Sequence, residues 1–220
     1  MSDFTFAVEG GHSVRLKTAG KYCPRDIVVT AKGSDDSFYD QFWDAYQNSG
    51  GYVFSYAGAF GSSRWTDEVY NPKYPIVCSG GYSMERLFYN SAITDTKVPI
   101  TAYNGIFITG MFTNSKLKTI RKLVLENTDG VKTGNSFDNC TDLQNITIEG
   151  VLSGQSGRTD PNFQWSPLTK ASIKNVIACL SDTSVEVTAT FQKTAVNAAF
   201  TTDEWNALVA SKPNWTITLA

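Results

Sequence analysis

Two sets of apolar residues recur along the middle of this chain with the same beat, and that recurrence constrains the fold more than any other feature. Phe88, Phe112, Phe137 and Phe163 stand 24, 25 and 26 residues apart. Each is followed five or six residues later by an aliphatic residue: Ile93, Leu117, Leu143 and Leu168. Pairs two residues apart keep the same time, namely Ile76/Cys78, Val98/Ile100, Leu123/Leu125 and Ile146/Ile148, at intervals of 22, 25 and 23 residues. Within "SFDNCTDLQNITIEG" (136–150) the apolar positions are Phe137, Cys140, Leu143, Ile146 and Ile148, so gaps of three close to a gap of two. Gaps of three suit a turn-like or 3₁₀ segment, and a gap of two suits a strand. The pattern predicts a stack in which each unit lays one short strand parallel to the next and packs its Phe and Leu inside. One unit cannot bury its own apolar face, so neighbours and caps are required.

A period of roughly 20–29 residues carrying L-x-x-L-x-L is the mark of a leucine-rich repeat, and "IRKLVL" (120–125) and "LQNITI" (143–148) supply that element. The expected fold class is therefore α+β: a short leucine-rich-repeat solenoid of three to five coils over 76–168, built as a parallel β ladder. Pro99 interrupts the strand position of its second repeat. Residues 1–33 read as a small β unit, with "FTFAV", "SVRLK" and "DIVVTA" separated by turns at Gly10–Gly11 and "AGKYCPR". Residues 34–75 read as an N-terminal cap. Phe38, Phe42 and Tyr46 fall four apart, as do Tyr39 and Trp43, which makes an aromatic helix over 35–48. Asp35 and Asp36 favour its N-terminus and Gly50 its stop. An irregular aromatic loop follows, in which Pro72 and Pro75 forbid long regular structure.

Residues 169–220 read as a C-terminal strand and helix cap. Ile173, Val176, Ile177 and Leu180 share one helical face, and "VEVTATF" alternates as a strand. Thr201 with Glu204 forms a capping box that opens a helix bearing Trp205, Leu208 and Val209, which Pro213 and Asn214 end before a last strand, "WTITL".

Charge and motif content narrow the function classes. Nineteen basic residues against 21 acidic ones leave no phosphate-seeking surface, which argues against nucleic acid. No run approaches the roughly 18 apolar residues a membrane span needs, and "MSDFTFAVEGGHSV" has no secretion-signal pattern. Aromatic residues at 13% with 17 glycines suit a turn-rich β scaffold. Cys23, Cys78, Cys140 and Cys179 are scattered singly beside one histidine, so metal binding is not expected. Two disulfides are conceivable, but the expectation is free thiols packed as small hydrophobes. His12 is the only near-neutral base, and it sits in a Gly-Gly-His turn. "SGGY" and "SGQSG" lack the lysine of a phosphate loop, and Asp67 and Glu68 are adjacent carboxylates that point apart. Asn139, Asn145 and Asn214 open N-x-S/T triplets that mean little without export. No enzyme and no cofactor are expected.

The composite F-x-N-S/C-x-x-L-x-x-I-x-I resembles the BspA-type leucine-rich repeats of bacterial surface proteins. The flanks "AGKYCPRDIVVTA", "FYDQFWDAYQNSGGY", "PLTKASIKNVIACLSD" and "FTTDEWNALVASKPNWTI" are similar to segments of repeat proteins encoded in phage and prophage tail regions of gut bacteria. The resemblance implies a non-enzymatic virion protein at a tail or fibre tip, recognising the host surface through its repeats and attached to the particle by residues 1–33. Its partners would be other virion proteins and a bacterial surface glycan or protein, and its location the virion, assembled in the bacterial cytoplasm. Homo-oligomerisation is compatible with that role, though the chain carries no heptad or collagen-like stretch. A purely structural virion subunit and a bacterial surface adhesin are the alternatives, the latter weakened by the missing export signal.

Two sets of residues are candidates for contact. The positions flanking the buried pairs are Lys97, Thr101, Lys122, Glu126, Asn145, Thr147 and Glu149. The aromatic loop offers Tyr52, Tyr56, Trp65, Tyr70 and Tyr74, rings of the kind that stack on sugars and anchor interfaces. A solvated polar face competes as the explanation of the first set, and core filling at the end of a stack as that of the second.

Overall fold

The structure, a computed structural model, describes residues 4–8, 12–19, 23–29, 52–53, 58–61, 63, 65–78, 84–103, 108–126, 134–153, 159–182 and 187–220. The N-terminal bursts of alternation form an antiparallel meander of β1 (Phe4–Val8), β2 (His12–Ala19) and β3 (Cys23–Val29), in that order. The aromatic helix expected over 35–48 lies outside the described residues.

The paired apolar positions form a parallel sheet. Its strands are β4 (Tyr52–Val53), β5 (Ile76–Cys78), β6 (Ile100–Tyr103), β7 (Thr119–Glu126) and β8 (Asn145–Gly150), each beside the next in chain order. Ile76, Ile100, Leu123 and Ile148 align across four strands and are buried. The alignment corrects two of the pairs expected from spacing. Ile100, not Val98, stands beside Ile76, and Ile146 stands beside Ile120 rather than Leu123. Proline supplies the reason for the first: Pro99 has no N–H for a ladder, so β6 starts after it, while its carbonyl still accepts from the Ile76 N–H at 2.9 Å. An irregularity between Ile120 and Leu123 supplies the second, because β7 spends three steps where β8 spends two.

A second ladder runs through the phenylalanine turns. Phe60, Phe88, Phe112, Phe137, Phe163 and Phe191 stack ring on ring, with centroids 5.3, 5.9, 5.6, 4.4 and 5.8 Å apart. All six are buried, and Phe60 and Phe191 extend the sequence series by one ring at each end. Backbone bonds tie the rungs together: Phe60 N–H to Leu87 O at 2.8 Å, Phe88 N–H to Met111 O at 2.7 Å and Phe112 N–H to Ser136 O at 3.0 Å. The turns that hold these rings pass through the left-handed region on either side. Two residues before the ring stand Gly58, Arg86, Gly110 and Asn135, and two after it Asn90, Asn114 and Asn139, all with φ between 54° and 68°. Asparagine reaches that region more readily than other side chains, which gives the recurrent F-x-N its physical reason.

Beyond the last strand of the large sheet the chain changes its means of closure. Strands β9 (Thr159–Phe163), β10 (Val187–Phe191) and β11 (Trp215–Leu219) form a parallel sheet in the order β11-β10-β9. In it Phe163 aligns with Phe191, and Phe191 with Leu219, so the ring ladder runs into sheet residues. Among the described residues there are three helices: α1 (Lys170–Cys179), α2 (Lys193–Ala199) and α3 (Thr202–Ala210). α1 buries Ser172, Ile173, Val176 and Ile177. The Thr201–Glu204 capping box is present at α3, and the Trp205 ring meets Phe191 edge-on at 6.1 Å. The short helix α2 and strand β9 were not expected from spacing. None of the described helices is long and apolar enough to cross a membrane.

The outer edge of β8 faces a helix, and side chains do there what a further strand would have done. The Ile146 N–H donates to Ser172 Oγ at 3.0 Å, and the Ile148 N–H to Asn175 Oδ1 at 2.6 Å. Asn175 Nδ2 in turn donates to the Ile148 carbonyl at 3.0 Å. One carboxamide thus presents the donor and acceptor of a peptide to a strand edge that would otherwise be open to pairing. Asn175→Ala is expected to cost about 1–3 kcal/mol, because it strands the Ile148 N–H and leaves the Ile148 carbonyl only the weak Cys179 thiol donor at 3.4 Å. Asn175→Asp, which keeps an acceptor for the N–H but no donor for the carbonyl, should fall between the two in urea unfolding. An alanine variant as stable as the parent would show that the cap contributes nothing.

Candidate binding face

Alternation along the large sheet puts Thr101 and Val124 between buried residues of β6 and β7, and the register aligns them in one row with Val77 of β5 and Glu149 of β8. The first three are half-buried and Glu149 is exposed. Strands lie roughly 4.8 Å apart, so a row of this kind presents side chains at that interval. Lys122 and Glu149 form an ion pair across β7 and β8. Thr147 is exposed opposite the irregular step of β7, and Glu126 aligns with Tyr103. Nearby, Arg121 grips Asp95 through two parallel bonds, Nε to Oδ1 at 2.9 Å and Nη2 to Oδ2 at 2.8 Å. Pairs this exposed are screened by solvent and add little to stability. Their effect is to hold side chains in place and to leave little net charge on the face.

Of the expected contact residues, Thr101, Lys122, Glu126, Thr147 and Glu149 belong to this face. Asn145 opens β8, where its Oδ1 accepts from Thr169 Oγ1 at 3.5 Å. Lys97 does not belong. It has φ 58° and folds back, its Nζ donating to the carbonyls of Asp67, at 2.7 Å, and Tyr70. Val77 and Val124 were missed, although the gap of two in Ile76/Cys78 and Leu123/Leu125 leaves one outward residue between each pair.

The aromatic loop is corrected more sharply. Trp65 and Tyr70 are 1% and 0% exposed and pack edge-on against Phe60 at 5.2 and 5.4 Å. The Tyr70 hydroxyl donates to the Thr96 carbonyl at 2.9 Å. These two rings are core, not contact surface: they cover one end of the phenylalanine ladder. Tyr74 is 38% exposed. Tyr52 lies in β4, and Tyr56 is outside the described residues.

The titratable groups near the face serve structure. Burial would raise the Asp67 carboxyl, but hydrogen bonds from the Thr94 hydroxyl at 2.6 Å and N–H at 2.9 Å, with the Lys97 charge, hold it below the usual range. Burial pushes the Cys140 thiol up to about 12, far from the range of a nucleophilic thiolate. Its Sγ donates to the Phe112 carbonyl at 3.1 Å. Cys140 and Cys179 are free thiols. Burial also raises Asp138, against an opposing hydrogen bond with Asn162. Among the described residues no group of three or more His, Cys, Asp or Glu side chains converges to hold a metal. Neither a protein-family model, nor a curated protein, nor a solved structure matches the chain significantly.

Proposed function

We propose that the chain is a short leucine-rich-repeat solenoid, similar to the BspA type, that serves as a non-enzymatic virion component of a phage or prophage tail or fibre tip and meets the bacterial host surface through its repeat region. The observation that carries this reading is the aligned outward row Val77–Thr101–Val124–Glu149, with the Lys122–Glu149 pair beside it. A row with one residue per strand is matched by an extended ligand, and the ring ladder behind it holds the row rigid, which lowers the entropy cost of binding. The half-exposed valines favour a second reading, a structural virion subunit whose face docks on a neighbouring protein.

Binding of the purified protein to intact cells of candidate host strains separates the two. Saturable, strain-restricted binding is expected, blocked by wall glycan of the bound strain. Thr101→Glu combined with Val124→Lys should weaken it at least about tenfold, equivalent to 1.4 kcal/mol, with little loss of melting temperature because the introduced ammonium stands between the introduced carboxylate and Glu149 in the register. Equal binding to every strain, unaffected by these changes, would overturn host recognition in favour of the structural subunit.

A further inference from the structure

The left-handed positions of the phenylalanine turns are filled by Gly58, Gly110 and asparagines, with one exception. Arg86 has φ 56° where its counterparts two residues before the ring are Gly58, Gly110 and Asn135. Arginine has no local side-chain hydrogen bond to ease that conformation, so its presence carries strain that glycine or asparagine would avoid. Nor does the guanidinium compensate through an ion pair: among the described residues it has no carboxylate partner, and it lies over the Tyr89 ring at 5.7 Å. Its side chain is exposed at a cavity of about 510 Å³ lined, among the described residues, by Gly58, Glu85, Arg86 and Thr109. The backbone brings these three turns side by side, through Gly58 N–H to Glu85 O at 2.9 Å and Arg86 N–H to Thr109 O at 3.1 Å.

From these three observations we infer that this concavity is a binding site for an acidic, hydroxylated ligand, whose carboxylate or phosphate group is taken by Arg86 and whose hydroxyls meet Glu85 and Thr109. A guanidinium that lies over an aromatic ring still has its N–H fork to offer, and that fork suits two parallel bonds to either anion. The Glu85 carboxylate can only accept hydrogen bonds, so it suits a hydroxyl and disfavours a second anionic group. The Gly58 position, which lines the same cavity, is open: a Cβ built there would meet nothing within 4 Å. Arg86 and Gly58 border the same cavity of about 510 Å³, whose volume exceeds that of one sugar ring. The site lies among the phenylalanine turns and not on the sheet face, so it stands whether or not that face meets a host surface.

Three probes on one ring frame test the proposal: glucuronate, glucose 1-phosphate and glucose, titrated into the intact protein and followed by the amide NMR shifts of residues 85–89 and 109. One or both acidic probes should bind, with Kd on the order of 1 mM, and glucose should not. Binding by one acidic probe alone would identify carboxylate or phosphate as the group recognised. Arg86→Gly and Arg86→Asn should each weaken acidic-probe binding at least about tenfold while raising Tm by about 2–4 °C, because both relieve the strained turn. Arg86→Lys, which keeps the charge without the fork, should bind more weakly than the parent. Equal binding of glucose, unchanged binding by the glycine and asparagine variants, a fall in their Tm, or no binding by any probe would each overturn the proposal.

Discussion

Gly150→Ala is expected to lower Tm by roughly 6–12 °C, corresponding to a loss of about 3 kcal/mol or more. Gly150 ends β8 with φ 103°, a conformation that a side chain adopts only under strain. It also aligns with Leu125 so closely that an added Cβ would lie 1.9 Å from the Leu125 carbonyl oxygen and 2.9 Å from its carbon. Backbone is the obstacle here, not a side chain that can swing aside. Leu125 is 2% exposed and held in β7, so relief would require the two strands to part. Backbone strain of roughly 1–3 kcal/mol and overpacking of a similar size therefore add. A variant melting within 2 °C of the parent, by the approximate scale used above, would mean that β8 does not end against Leu125.

Phe137→Ala is expected to cost about 3–5 kcal/mol in urea unfolding. The ring is fully buried between Phe112 at 5.6 Å and Phe163 at 4.4 Å, and it lies in the interior of the ladder. Removing it leaves a gap that neither neighbour can close, because each is stacked on a further ring, Phe88 or Phe191. Phe137→Leu, which keeps much of the volume, should recover a large part of the loss. If the alanine variant lost less than about 1 kcal/mol, the ring stack would not be the element that holds the rungs together.

How much of this was legible in the sequence depended on whether the signal was periodic. The phenylalanine series and the antiparallel N-terminal meander follow from spacing alone, because a ring needed in every rung must recur with the rung. The same holds for F-x-N at 88, 112 and 137, since these three turns ask for the same left-handed residue. Strand register was less legible. One proline and one extra step in β7 displaced two of the four pairs, and neither changes the apolar count that a periodic search relies on. The outward row suffered from a different blindness: Val77 and Val124 look like core residues until the alternation of their strands assigns them a side.

Single residues whose role depends on a distant partner were not legible at all. Trp65 and Tyr70 were candidates for contact because rings are good at contact. Their burial is decided by Phe60 and Phe88, which close over them. Lys97 looked like a surface charge, and its partners turned out to be the carbonyls of Asp67 and Tyr70, 30 and 27 residues upstream. Asn175, to which the spacing assigned no role, closes a sheet edge. Arg86 carries no sequence signal beyond its departure from Gly and Asn at one position of the turn, visible only once the turns are aligned.

By itself, then, the sequence determined that apolar residues recur at one beat, that asparagine follows phenylalanine at 88, 112 and 137, and that Thr201 and Glu204 open a helix. These are local demands, repeated or self-contained, and local chemistry meets them wherever the chain goes. The tertiary structure decided which strand residue stands beside which, which rings are core, and how the last edge is closed. Register and edge closure are relations between residues 23 to 27 positions apart, and they exist only after the rungs have stacked.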